Sequence, residues 1–221
     1  MTARENWADP GHWAVFAFAT TSFMLGFVNS NFIAPSAVEI VLPVSLIFGG
    51  LVQLIVAVLE VVRKNTFGAC VFGTYGPFWI IYALYVPLFS SKVAPASAGT
   101  AVALFLAMFA VLTLFFVIAS FRTDWILVAI FVLIEVALIL LAIGAGDANT
   151  TATHIGGYIT LVFAVLAWYH AFGGLIAGTF GRSFLPMGFI GPLVLESETA
   201  DVTGRRDTQP GGSGPLAGST A

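Results

Sequence analysis

Glu135 sits at the centre of an apolar stretch running from about 125 to 145, and its position needs a chemical explanation. An acid at the bilayer midplane costs about 2.5–3.5 kcal/mol on insertion scales, so such a carboxyl is protonated, paired or facing water. Two readings follow: a proton-handling group beside a path, or a protonated acid hydrogen-bonded between helices. His170 lies in another apolar run, on one helical face with Phe163, Ala167, Gly174 and Ala177. A histidine can carry protons near neutral pH, and Glu135 is its candidate partner; the alternative is a packing residue. His154 opens the same run. Ser45, Gly49, Gln53, Ala57 and Glu60 recur in steps of four and three, which keeps them near one helix face. That stripe borders either a path or a polar seam between helices. Glu60, beside Arg63 and Lys64, reads as part of a solvated charge cluster at the membrane surface.

Other chemistries lack their residues. There is no H-E-x-x-H, paired-cysteine site, G-x-S-x-G, P-loop or dinucleotide fingerprint, so no catalytic residue, metal or cofactor is expected and the chain does not read as an enzyme. A basic patch for nucleic acid is also missing. The single cysteine, Cys70, excludes an intramolecular disulfide.

The elements that must position these groups follow from composition. Apolar residues make up 59% and charged residues 9% of the chain, against roughly 25% charged in soluble domains. Windows of about 20 apolar residues occur near 12–32, 38–62, 66–89, 99–121, 125–145 and 154–178. Lipid satisfies no backbone dipole, so each reads as a helix. The fold class is therefore all-α, a six-transmembrane-helix bundle in the plasma or bacterial inner membrane. Arg4, Arg63, Lys64, Arg122, Arg182, Arg205 and Arg206 fall on one side and Lys92 on the other, which predicts cytoplasmic termini. A signal peptide ending near Ala34-Pro35-Ser36-Ala37 is the alternative for the first run, but its leader carries acids as well as Arg4. The expected organisation is a cytoplasmic segment at 1–11, a membrane domain at 12–190, and a flexible polar tail at 191–221 too poor in apolar residues to order itself.

The richest local pattern is Asn65-Thr66-Phe67-Gly68 followed by Tyr75-Gly76-Pro77-Phe78-Trp79. Asn65 and Thr66 suit a helix start, and Pro77, which lacks an amide proton, favours a kink. With Asp9-Pro10-Gly11 near the start, and Phe180-Gly181-Arg182 and Leu185-Pro186-Met187-Gly188 near the end, these segments resemble the acetate uptake transporter family, the succinate/acetate permeases, over roughly residues 8–188. His12 stands where the family's first motif has proline, and Glu135 where it has a small hydroxyl residue. The resemblance implies a homo-hexamer with one path per protomer, narrowed by Phe18, Tyr75 and Ile134. Asp9, Thr21, Gln53, Asn65 and Thr74 are the candidate path residues, and Glu135, His154 and His170 the candidate proton-handling residues. Gly174 and Gly178 form a G-x-x-x-G close-packing motif compatible with assembly or with packing inside one protomer.

A short carboxylic acid is almost wholly ionised at neutral pH. Bringing its anion into a negative interior costs about 2.3 kcal/mol per 100 mV, which favours moving a proton with it. The spans hold no Lys or Arg to bind a carboxylate permanently; Thr20, Thr21, Ser22, Thr74 and Tyr75 supply hydroxyls instead. The expected activity is passage of acetate and related short carboxylates, succinate among them, with protons. A pore for urea, amides or ammonia is the alternative, and a non-transporting scaffold or sensor a third reading. The expected partners are the bilayer, the carboxylate, protons and further copies of the chain.

Overall fold

Apolar runs that must hide every backbone dipole have a local solution in the helix, and the computed structural model, which describes residues 8–188 and 190, is built from helices. In chain order these are α1 (Gly11–Asn29), α2 (Val38–Val44), a π-helical segment (Ser45–Val52), α3 (Gln53–Val62), α4 (Thr66–Leu88), α5 (Pro95–Ser120), α6 (Trp125–Gly146) and α7 (Thr150–Phe180). They supply six membrane-length spans, the second being the composite run Pro35–Val62. The leader with Arg4 and the tail 191–221 with Arg205 and Arg206 lie outside the described residues. Asn65, Asp124 and Asn149 each cap a helix, accepting from the amides of Gly68 at 3.1 Å, Leu127 at 2.8 Å and Ala152 at 3.0 Å. Helix α4 continues through Pro77.

The π segment is the irregularity that sequence periodicity does not reveal. Pro43 removes one amide just before it, and the wider turns that follow are a form often found at functional sites. A four-residue step overshoots a full α-turn by about 40°, whereas wider turns close on it. Ser45, Gly49, Gln53, Ala57 and Glu60 consequently all stay buried on one face.

Helix α1 packs on α7, α7 on α6 and α6 on α5; on the other flank of α1 the π segment and α3 pack on α4. Helices α4 and α5 touch little, bridged by Phe78, which stacks on Phe105 at 5.2 Å and meets Phe109 edge-on at 5.0 Å. Glycines set the closest approaches. Gly157 lies on the backbone of Asn29 and Ser30, and Gly174 on the His12 ring, so Gly174 of the G-x-x-x-G pair is used inside the protomer, while Gly178 faces open space. Helix α5 turns Leu104, Phe115 and Ile118 outward, at 61%, 58% and 62% exposure. That apolar surface suits lipid or neighbouring copies.

Candidate functional site

Two chambers open inside the bundle. The larger, about 560 Å³, is lined by Ser22, Asn29, Trp79, Phe105, Ile134 and Thr153 among others. The smaller, about 150 Å³, is bordered by Asp9, His12, Gln53, Glu60, Asn65 and His170 among others. One reaches the end of α1, the other its start, and both are walled by Phe18 and Tyr75. The Phe18 ring lies 5.3 Å from that of Tyr75 and 5.8 Å from that of Phe163. Tyr75 in turn faces Phe116 at 5.9 Å and Phe131 at 6.5 Å. Ile134, buried to 4% exposure, belongs to the larger chamber. Of the three residues that the family resemblance places in a constriction, Phe18 and Tyr75 border both chambers and Ile134 borders the larger one.

The larger chamber is mostly apolar, and two buried polar atoms on its lining residues have no partner: Ser22 Oγ and Trp79 Nε1. Among the other hydroxyls, Thr21 bonds back to the Ala17 carbonyl at 2.9 Å and packs against Gly49, and Thr20 accepts from Trp168 Nε1 at 3.1 Å. Thr21 and Thr74 line neither chamber.

The smaller chamber is polar. Gln53 is fully buried, donates to the Gly49 carbonyl, and leaves Oε1 without a partner. Glu60 is not the solvated charge that its sequence neighbours suggest. Its side chain is fully buried, with Oε1 held 3.3 Å from Arg63 and Oε2 unpartnered. The cause is that Gly11 and Gly68, without side chains, let α1 and α4 close over it. Arg63 also clamps Asp9, Nη1 to Oδ1 at 2.7 Å.

Burial pushes the Asp9 carboxyl up, but the Arg63 hydrogen bond, the Gly11 amide and the Arg63 charge outweigh it and hold the acid below its usual 3.8. Stability from this clamp is therefore fully present above the unfolded value and is lost as pH falls through the lower folded value. Asp9 is 46% exposed, so the effect is small. Asp9→Asn should lower the melting temperature by about 1–3 °C at pH 7, with the difference closing below about pH 4. Melting curves of both proteins in detergent across that range test this.

His170 turns away from the partner expected for it. Its Nε2 lies 3.1 Å from Asp124 Oδ2, Nδ1 is buried without a partner, and its ring centroid is 6.2 Å from that of His12. Glu135 is half-buried with Oε2 unpartnered, and neither it nor His154 lines a chamber. Asp124 and His12 escaped sequence reasoning as site residues. Asp124 carried only a helix-start signal, and His12 stood out as a departure from a motif.

The chain is thus a multi-pass helical membrane protein whose bundle encloses two chambers divided by an aromatic ring. It belongs to the GPR1/FUN34/yaaH family, whose model matches residues 1–187. It is 31% identical over 183 residues to the succinate-acetate/proton symporter SatP of Escherichia coli (strain K12), covering 82% of this chain and 95% of that one. It is 29% identical over 176 residues to ammonia transport outward protein 2 of Saccharomyces cerevisiae and 28% identical over 186 residues to acetate permease A of Emericella nidulans. Each of these two alignments covers 77% of this chain and 62% of the relative, so the chain spans under two thirds of these fungal proteins. The solved structure of the bacterial acetate channel SatP superposes with a TM-score of 0.77 at 28% identity, covering 83% of this chain and all of that one.

Proposed function

We propose that this protein conducts acetate and related short carboxylates across a cell membrane together with protons, along a path running from the larger chamber past Phe18, Tyr75 and Ile134 into the smaller one. The observation that carries this reading is the pair of chambers sharing Phe18 and Tyr75 as walls, in a chain similar to a succinate-acetate/proton symporter over most of its length. Asp9, Gln53 and Asn65 border the smaller chamber and meet the solute there, and Thr21 packs against Gly49 behind the path. Proton exchange falls first to His170, which borders the chamber and is held by Asp124. Glu135, next to Ile134, and His154, next to the chamber residue Thr153, are the further candidates. The termini lie on the cytoplasmic side, and the assembly is a homo-hexamer with a path in each copy, consistent with the apolar outer face of α5.

The test is uptake of labelled acetate by the purified chain in liposomes, with and without a pH gradient. Protein-dependent accumulation should follow the gradient. His170→Gln should cut the gradient-driven rate by about fivefold, well below the roughly 100-fold of a sole acid–base group because Glu135 and His154 share the load, and Glu135→Gln and His154→Gln measure the share of those two. Absence of protein-dependent uptake removes the reading. Ammonia is a second candidate solute, favoured by similarity to a protein named for ammonia transport and by the apolar larger chamber. Protein-dependent ammonia flux without protein-dependent acetate uptake would favour it.

A further inference from the structure

The aromatic ring between the chambers has a fixed hydrogen-bonding polarity. Thr113 is fully buried and carries one hydroxyl proton, which it donates to the Phe109 carbonyl at 2.8 Å. Its oxygen lies 2.7 Å from the Tyr75 hydroxyl. With the threonine proton committed, the proton in that second bond is the tyrosine's, so Tyr75 donates to Thr113 and offers a passing solute only its oxygen lone pairs. A carboxylate is acceptor-only when ionised, whereas a protonated acid has one O–H to give. The ring therefore matches the second and not the first.

Its surroundings agree. The side chains against Tyr75 and Phe18 are Phe116, Phe131 and Phe163. Phenyl rings offer an anion no hydrogen-bond donor. The titratable neighbours are Glu135, one residue from Ile134, Asp9, Glu60, His12 and His170 of the smaller chamber, and Tyr82 and Tyr85 of the larger. Among the described residues, the permanent cation bonded to that chamber's side chains, Arg63, is already held by Asp9 and Glu60. On the larger-chamber side the two unpartnered groups, Ser22 Oγ and Trp79 Nε1, can both donate, and their residues are only 1% and 3% exposed. Each has a proton not committed to another protein group.

We propose that the species crossing the Phe18–Tyr75 ring is the neutral, protonated carboxylic acid, and that Thr113 is the specificity-determining residue, acting by holding the Tyr75 hydroxyl as an acceptor. The inference rests on the carboxylate reading and adds to it where the proton travels: on the solute across the ring, with no net charge moved. At pH 7 about one molecule in 500 of such an acid is neutral. Selecting that minority makes the flux follow the proton gradient.

The experiment uses the purified full-length chain in liposomes with labelled acetate at about pH 7.5, subtracting protein-free vesicles because acetic acid itself crosses lipid. One arm imposes an alkaline interior without a potential; the other imposes about 100 mV, inside positive, by potassium and valinomycin without a pH gradient. An anion conductor would accumulate acetate about 50-fold in the second arm. The wild-type chain should accumulate acetate in the first arm and change less than twofold in the second. Thr113→Val frees the tyrosine proton to meet an anion and should gain potential-driven uptake; Thr113→Ser should behave as wild type. Tyr75→Phe should be slower in the first arm and still indifferent to potential, and it keeps the test decisive if Thr113→Val elutes as aggregate in size-exclusion chromatography. Potential-driven accumulation by the wild-type chain overturns the proposal while leaving carboxylate transport standing, and a well-folded Thr113→Val that stays electroneutral overturns the role of Thr113. No protein-dependent flux in either arm overturns both readings.

Discussion

Replacing Phe18 by alanine should raise acetate flux by about tenfold, which corresponds to lowering the barrier at the ring by about 1.4 kcal/mol. Phe18 is the residue of α1 that faces Tyr75 at 5.3 Å and Phe163 at 5.8 Å, and it walls both the 560 Å³ and the 150 Å³ chambers. Removing the ring joins them into one lumen, and a hydrophobic constriction that excludes water becomes wet. Discrimination should fall in parallel, with larger dicarboxylates gaining more than acetate. The change also removes a buried aromatic, which in a dry core destabilises by about 3–5 kcal/mol. Here the vacated space opens onto existing chambers and can hydrate, so the loss should sit at or below the lower end. Transport and melting temperature therefore move in opposite directions. Should flux instead drop in proportion to folded protein, Phe18 is packing the bundle and the barrier lies elsewhere.

The membrane spans are legible because a run of about 20 apolar residues has few folded alternatives in lipid. The stripe from Ser45 to Glu60 is legible for a related reason, since polar and small residues at helical spacing find burial together even where the helix widens. Glu60 shows the limit. Its charged neighbours Arg63 and Lys64 suggest solvent, and only the folded glycines at 11 and 68 reveal that it is closed over. Pairings across the bundle are not legible at all. His170 meets Asp124 across 46 positions and Tyr75 meets Thr113 across 38, separations at which helical periodicity carries no information. Glu135 illustrates the converse: its insertion cost marks it out in the sequence, while the α6 residues that border the chambers include its neighbours Ile134, Ala137 and Leu138 but not Glu135 itself. The chamber walls consequently consist mainly of aromatic and aliphatic residues that look like ordinary core.

Gly157→Ala should be among the most destabilising single-methyl changes in this chain, at about 3 kcal/mol, the upper end for overpacking. Gly157 lies on α7 where that helix crosses the end of α1, and an added Cβ would run into the Ser30 amide nitrogen and the Asn29 carbonyl carbon. Both are backbone atoms, and the Ser30 amide is itself bonded to the Gly26 carbonyl at 2.9 Å. No side-chain rotation can relieve the clash, so α7 must move off α1. Folded proteins hold only about 5–15 kcal/mol in total, and the melting temperature should fall by about 6–12 °C. The shift also reaches the larger chamber, because α1 carries Phe18, Ser22 and Asn29 along it and α7 carries Thr160 and Phe163. Gly178→Ala, on the same helix with nothing within 4 Å of its added methyl, is the matched control. There the gain in helix propensity, at most about 1 kcal/mol, should leave the protein equally or slightly more stable. Paired melts of the two variants in one detergent decide the matter: near-equal melting temperatures would mean that α1 and α7 do not meet backbone to backbone at Gly157.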